Sequence, residues 1–394
     1  MSNTIRVALI GFGWAGRSIW LPRLLADPGY QVVAVVDPTA SADGSGIRTL
    51  TDHADLDPAD VDLAVVAVPN HLHADVAEAL LRRGISVFVE KPVCLSTAQA
   101  DRLAAAERST DAVLLAGSAS RYRRDVRALY DVVNDLGPVR HVSMAWVRAR
   151  GVPGRDGWFT RRELAGGGAL VDLGWHLLDA AQPLLGTPRI TQVVGSVSGD
   201  FLNRQSSRAA WRAEDGTPTV AGDVEDTARG FLLTETGVSM AMRASWASHE
   251  ALDRTEITVE AVGGTVTLSC TFGFSPNRSG GSTLSRTVDG VTTVTSVGEP
   301  IGQEYERQLA ELPAVLADRR SKGLAVEDTR RTISVIERLY RSASNDEPAA
   351  AGTETDDEMT SPLIDLSDIT AIPSATPVVA RGPAGSLAAI GRQR

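Results

Sequence analysis

A short apolar run, Ile5 to Ile10, leads into Gly11-Phe12-Gly13-Trp14-Ala15-Gly16 and then into a helix-like stretch, Ser18 to Leu25, that stops near Asp27-Pro28-Gly29. Three glycines at this spacing between a strand and a helix serve three ends. Gly11 permits a tight turn, Gly13 lets the backbone approach a pyrophosphate, and Gly16 lets helix and strand pack closely. Phosphates would sit on the amides at the helix amino terminus, so Gly11, Phe12, Gly13, Trp14, Ala15 and Gly16 are all expected to line a dinucleotide. A second apolar run, Val32 to Val36, ends in Asp37, about twenty residues on, where the dinucleotide fingerprint places an acid. An acid there accepts from the adenosine ribose 2′-hydroxyl and repels a 2′-phosphate, which favours NAD over NADP. Without the glycines, Asp37 before Pro38 would read as an ordinary turn acid closing a strand.

Strand and helix keep alternating: Leu63 to Val68, helix Ala74 to Arg83, Ser86 to Val89, helix Thr97 to Glu107, and Ala112 to Ala116. This pattern predicts a doubly wound parallel sheet, whose ligands lie at the carboxyl ends of the strands. Pro69, Asn70 and His73 follow one strand, Glu90 and Lys91 the next, and Ser118 to Arg121 the last. Of 39 basic residues only Lys91 and Lys322 are lysines. A lysine in a loop is ordinarily a solvated one, but here topology sets Lys91 beside the cofactor. An ammonium is a compact donor whose pKa shifts on burial, which a guanidinium cannot imitate. Pro69, Asn70, Glu90 and Lys91 are expected at the cofactor, and His73 is read as packing beside the dinucleotide rather than doing chemistry.

The chain has 394 residues, 43% of them hydrophobic and 22% charged, which suits about two soluble domains. No apolar run approaches the roughly 18 residues of a membrane span, and the amino terminus lacks a signal-peptide layout, so cytoplasmic residence is the expectation. Cys94 and Cys270 are too few for a disulfide framework or a zinc site, and both read as inert small hydrophobes. The net charge of −10 argues against a nucleic-acid surface. Asp346 to Asp368 holds eight acids and no base, and no aromatic residue follows Tyr340. The segment 344–394 therefore reads as a largely disordered acidic tail, although Leu363-Ile364 or Val378-Val379 could dock on a neighbouring subunit.

After Gly137-Pro138 longer alternating runs appear: His141 to Arg150, Ile190 to Val197, Thr227 to Thr234, Val238 to Ser248, Arg254 to Ala261 and Thr265 to Cys270. They predict a mostly antiparallel sheet. Between the first two lies Gly166-Gly167-Gly168-Ala169-Leu170-Val171-Asp172-Leu173-Gly174-Trp175-His176. On a helix opening at the glycines, Asp172 and His176 share a face, with Asp179 nearby. A carboxylate one turn from an imidazole can fix its tautomer and raise its basicity, as a general base requires. Two other readings stand beside this one: a buried histidine satisfied by an aspartate, without chemistry, or a metal site from Asp172, His176 and Asp179, disfavoured because no further His or Cys lies close by.

Together, Gly11-x-Gly13-x-x-Gly16, Pro69-x-x-x-His73, Glu90-Lys91-Pro92 and Gly166-Gly167-Gly168-x-Leu170-x-Asp172-x-Gly174-x-His176 resemble the Gfo/Idh/MocA oxidoreductases over roughly residues 4 to 343. The resemblance implies an α/β protein. A Rossmann domain would occupy residues 1–120. A carboxy-terminal α/β domain with a large, mainly antiparallel open sheet would occupy 121–343, its last helix packing back on the Rossmann domain. It further implies Lys91, Asp172 and His176 as the catalytic trio, and a homodimer or homotetramer formed through the open sheet.

On that footing the expected reaction is hydride transfer between NAD and a secondary carbinol or ketone of a sugar, aminosugar or cyclitol. His176 would move the proton, Lys91 would hold the reacting oxygen and Asp172 would orient His176. Arg121, Tyr122, Arg155 and Trp158 are the expected substrate wall, since polyols need fixed donors and aromatic faces. Two other functions share this fold: an NAD-sensing regulator without turnover, and an NAD-dependent glycosidase.

Overall fold

Three strands of the amino-terminal half are apolar on both faces because both faces are covered. The computed structural model describes residues 4–39, 46–154, 157–209 and 221–344. Its first half runs β1 (Ile5–Ile10), a π-helical segment (Ala15–Trp20), α1 (Leu21–Ala26), β2 (Tyr30–Val36), β3 (Arg48–Leu50), β4 (Leu63–Val66), α2 (His73–Arg82), β5 (Ser86–Val89), α3 (Thr97–Arg108) and β6 (Leu114–Ala116). The six strands form one parallel sheet in the order β3-β2-β1-β4-β5-β6. Strand order reverses between β1 and β4, and the crevice at their carboxyl ends is where a doubly wound sheet takes its ligand.

The second half runs α4 (Arg124–Leu136), β7 (Val139–Val147), α5 (Arg162–Ala165), a second π-helical turn (Leu170–Gly174), α6 (Trp175–Leu185), β8 (Ile190–Ser198), β9 (Thr227–Thr234), β10 (Ser239–Ser245), β11 (Arg254–Ala261), β12 (Gly264–Cys270), β13 (Thr283–Val288), β14 (Val291–Ser296), α7 (Gln303–Ala317) and α8 (Leu324–Ala343). Eight strands make one sheet in the order β14-β13-β12-β11-β7-β10-β9-β8. Only the β7–β10 pairing is parallel; the rest of the sheet is antiparallel, as the alternating runs imply. One face of β11 is buried, through Thr255, Ile257, Val259, and the helices cover that face.

Helix α8 joins the two halves. Glu337 accepts from the Thr97 amide at 2.9 Å and from its hydroxyl at 3.0 Å, capping α3. From the same helix Arg338 donates to the carbonyls of Ile190 and Thr191 on β8. No helix of the described residues is long and apolar enough to cross a membrane. The acidic segment, apart from Ser344, lies outside the described residues, as does Arg155.

The glycine turn is sterically determined. Gly11 adopts φ +94°, which side-chain-bearing residues rarely take. A Cβ on Gly16 would stand 2.2 Å from the Gly11 carbonyl oxygen. Because that neighbour is backbone and cannot rotate aside, Gly16→Ala is expected to cost about 1–3 kcal/mol. Urea unfolding of the variant checks this, and an unchanged midpoint would show that the turn can yield.

Candidate active site

Lys91 follows β5 directly, and Asp172 rides on the π-helical turn before α6. Their side chains meet across the two halves, Nζ to Oδ1 at 2.5 Å, with only 19% and 11% of the side chains exposed. The other carboxylate oxygen, Oδ2, accepts from the indole Nε1 of Trp246 at 2.9 Å. The carboxylate is thus shared between an ammonium and an indole, a role for Asp172 that the Asp-x-x-x-His spacing did not foresee. The expected partner, His176, begins α6 one residue in, its ring centroid 5.5 Å from that of Trp146. Asp172 reaches it through charge, favouring its protonated form. Burial, Lys91 and Arg148 oppose this and bring the imidazole down to about 3. At neutral pH His176 is therefore an unprotonated ring, its basicity lowered where the Asp172 spacing led one to expect it raised.

The glycine run places Asp172. A Cβ on Gly168 would lie 1.8 Å from the Glu225 carbonyl oxygen, so only glycine brings this turn so close. Buried Glu225 then clasps the turn: Oε1 accepts from the amides of Gly168 at 2.9 Å and Leu170 at 3.0 Å and from the Tyr340 hydroxyl at 2.8 Å. Burial holds the Glu225 carboxyl above its ordinary range. Lys91 is placed from the other side. Glu90 accepts from Trp20 Nε1 at 2.8 Å and from the Lys91 amide at 2.9 Å.

The remaining expected residues divide. Asp37 accepts from the Phe12 amide at 2.8 Å, and from the Thr39 amide and hydroxyl at 2.8 and 2.7 Å, which sets the acid against the glycine turn. A Cβ on Gly13 would meet nothing within 4 Å, so the turn opens onto free space where a pyrophosphate can approach. These residues fit NAD: Gly11 to Gly16 would hold its phosphates and Asp37 its adenosine ribose. Trp14, 45% exposed, turns its ring edge to Phe274 at 5.8 Å. Pro69 caps a short helical turn in which Asn70 donates to the Ala165 carbonyl at 2.9 Å. His73 is buried, its nitrogens 2.6 and 2.8 Å from the carbonyls of Pro92 and Val68, and so it staples the loop behind the crevice.

Arg121 is turned away from the trio. Its guanidinium pairs with Asp179 and Asp328, each at 2.8 Å, on the far side of α6. There, with Tyr122, it lines a separate cavity of about 300 Å³. The carboxylate of Asp179 needs this cation because burial raises it. Trp158 does reach toward the trio, through Phe159 at 4.8 Å and from there to Trp246 at 6.1 Å. Sequence reading missed Trp246, Trp146 and Arg148, whose guanidinium lies 5.1 Å from the Trp146 ring. All three stand at or just beyond the ends of β7 and β10, and no local spacing ties them to Asp172 and His176, with Trp246 lying 74 residues from Asp172 in the chain. Among the described residues no His, Cys, Asp or Glu cluster could hold a metal ion.

Comparison with known proteins places the chain in a family. Residues 5–118 match the model of an oxidoreductase family with an NAD-binding Rossmann fold, and residues 124–266 match the GFO/IDH/MocA C-terminal domain. A protein of Amycolatopsis mediterranei, provisionally named a UDP-kanosamine synthase oxidoreductase subunit, is 54% identical over 87% of this chain and 97% of its own length. D-glucoside 3-dehydrogenase of Escherichia coli is 29% identical over 61% of this chain and 72% of its own. The crystal structure of GenD2 from gentamicin A biosynthesis, in complex with NAD, superposes with a TM-score of 0.68 at 26% identity, covering 88% of this chain and 96% of that one. The chain belongs to the GFO/IDH/MocA family of NAD-binding oxidoreductases.

The low pKa of His176 gives a stability test. Unfolded, the imidazole titrates at its ordinary 6.5; folded, it titrates at about 3. Between those values the unfolded chain binds the extra proton, so stability falls as pH drops through the window. In His176→Gln the urea midpoint should fall less steeply from pH 6.5 downward than in the wild type. Parallel curves would mean that His176 is not held neutral.

Proposed function

We propose that this family member transfers a hydride between NAD and the C3 carbinol of a glucose-type sugar substituted at C1, above all a sugar nucleotide. The observation that carries it is the Lys91–Asp172 pair at the carboxyl end of β5, with the neutral His176 within reach of both their charges. NAD, when bound, supplies the hydride acceptor. His176 takes the hydroxyl proton, which its neutral ring can accept. Lys91 donates to the same oxygen and stabilises the negative charge that develops as the C–H bond breaks. Asp172 fixes the ammonium, and Trp246 fixes Asp172, so the donor is aimed before substrate arrives. Phe159 and Trp158 extend an aromatic wall beside the trio that suits a sugar face.

Two relatives support the choice of position. One is named for a glucoside 3-dehydrogenase, and the other for the synthesis of kanosamine, a 3-amino hexose. An amine reaches a sugar carbon through the ketone there, so the 3-keto product would pass to an amine-transferring catalyst. Asp37 supports NAD over NADP. Val194, 62% exposed, pairs with Phe231, 49% exposed, on the open sheet, which supports self-association through that face. Two buried free thiols, Cys94 and Cys270, suit a reducing cytoplasm.

The test is a screen of UDP-glucose, simple glucosides and inositols with NAD and NADP, read by absorbance of the reduced cofactor and by the site of oxidation. The account expects NAD-dependent oxidation at C3. Lys91→Arg should lower kcat by about 10²–10³-fold while calorimetric NAD affinity changes little. Silence with every sugar beside normal NAD binding would favour a regulator, and an unimpaired Lys91→Arg enzyme would remove the proposed donor.

A further inference from the structure

Beyond the trio, the segments that follow β7 and β10 stay in contact through the Arg148 amide on the Ser245 carbonyl and the Ser248 amide on the Ala149 carbonyl. One runs from Trp146, against His176, to Arg150. The other runs from Trp246, against Asp172, to His249, and Arg150 meets Ala247 in an isolated antiparallel bridge. Both stretches bend rather than run on straight, and the chain after Arg150 stays close to Trp246: a Cβ on Gly151 would stand 2.9 Å from the Trp246 carbonyl oxygen. Here the two extensions and the loop from Phe201 to Ser207 enclose a polar cleft of about 290 Å³. Its walls carry Arg150, Arg204, His249 and the hydroxyls of Ser206, Ser207 and Ser248.

The charge in this cleft is unbalanced. Arg150 and Arg204 are exposed, and neither is ion-paired among the described residues. The Arg204 guanidinium lies 5.1 Å over the Phe201 ring, fixed in place by an aromatic face rather than by an acid. Glu250, the acid on the wall, is drawn aside to Arg254 at 3.7 Å. The Ser248 hydroxyl is committed to the Arg148 carbonyl at 3.0 Å, and two planar guanidinium forks with the hydroxyls of Ser206 and Ser207 make a receptor for a tetrahedral oxyanion. A lone carboxylate would use few of these donors, whereas a diphosphate would use most of them.

We propose that this cleft binds the diphosphate of a sugar nucleotide whose hexose lies at Lys91, Asp172 and His176. The inference rests on the hydride-transfer reading above and adds the substrate's handle. Arg150 and Arg204 grip the diphosphate, the hexose spans back along the strands to the trio, and the base lies outward beside the Phe201–His249 ring pair, whose centroids are 5.3 Å apart. The cofactor's own pyrophosphate is accounted for at the glycine turn, on the other domain. The cleft thus decides which hexoses are presented, while the trio decides what is done to them.

The experiment uses the full chain loaded with NAD, UDP as probe and UDP-glucose as substrate, in the wild type, in the double variant Arg150→Ala/Arg204→Ala, and in Arg150→Lys/Arg204→Lys. UDP should inhibit competitively against UDP-glucose and not against NAD. In the alanine variant the UDP dissociation constant by calorimetry and the KM for UDP-glucose should each rise by about tenfold or more, with kcat changing far less. The lysine variant, which keeps charge without the fork, should recover part of the loss. An alanine variant of unchanged melting temperature and unchanged UDP affinity overturns the proposal. So does UDP that binds without competing with the sugar, as a separate regulatory diphosphate site would. Oxidation of simple glucosides but not UDP-glucose also overturns it and leaves the hydride-transfer reading standing. If no sugar turns over, that reading fails, and UDP binding lost in the alanine variant still supports the cleft.

Discussion

The contact between Lys91 and Asp172 ties the two halves of the molecule together at the point where chemistry would occur. Removing two charges from water costs several kcal/mol each, and their mutual attraction offsets this only when the remaining hydrogen-bonding capacity is also met. Trp246 meets it on the carboxylate side. The pair therefore needs β5, the π-helical turn and the end of β10 to be in register simultaneously. Much of what surrounds it can be read as satisfying that requirement: Glu90 held by Trp20, the turn clasped by Glu225, and α8 fastened to both sheets. A buried pair of this kind is weak evidence for stability and better evidence for a site that must be dry and preorganised.

The two domains also meet through aromatic rings. Trp14 of the glycine turn stands against Phe274, Phe274 stacks on Tyr305 at 5.6 Å, and Tyr305 meets Trp20, whose indole holds Glu90. The phosphate-binding turn and the residue preceding Lys91 are thus joined through one row of packed rings. Nearby, the Arg123 guanidinium pairs with Asp125 at 2.6 Å and covers Phe272 at 4.6 Å, fixing the start of α4 to the carboxy-terminal sheet.

Much of this was legible in the sequence because strong local signals produced it. β1, β5, β9 and β11 run where the apolar and alternating patterns place them, and the glycine turn with Asp37 lies where its spacing demands. What escaped had no local signature. All six residues of β14 are exposed, so there is no alternation to read, and β13 went unread beside it. α7 carries Pro313 within it, which masks its periodicity. The helix expected from Ser18 begins earlier, as a π-helical segment from Ala15, because the glycine turn feeds straight into it. At the site, Lys91, Asp172 and His176 could be picked out by residue type and spacing, but the hold of the Asp172 carboxylate on Lys91 and Trp246 could not. Its indole partner is 74 residues away in the chain, and only the parallel β7–β10 pairing brings Trp146 and Trp246 to the same end. Arg121 shows the converse: its place after β6 was read correctly, yet buried Asp179 claims its charge.

The central claim is that Lys91 and Asp172 act as one unit on the reacting oxygen. A double-mutant cycle of Lys91→Met and Asp172→Asn tests it most directly, read as single-turnover hydride transfer from UDP-glucose to NAD with NAD binding measured alongside. Groups that work as a unit are far from additive, so the double variant should be about as slow as the slower single one. If the two losses multiply, the residues act separately and the account is contradicted.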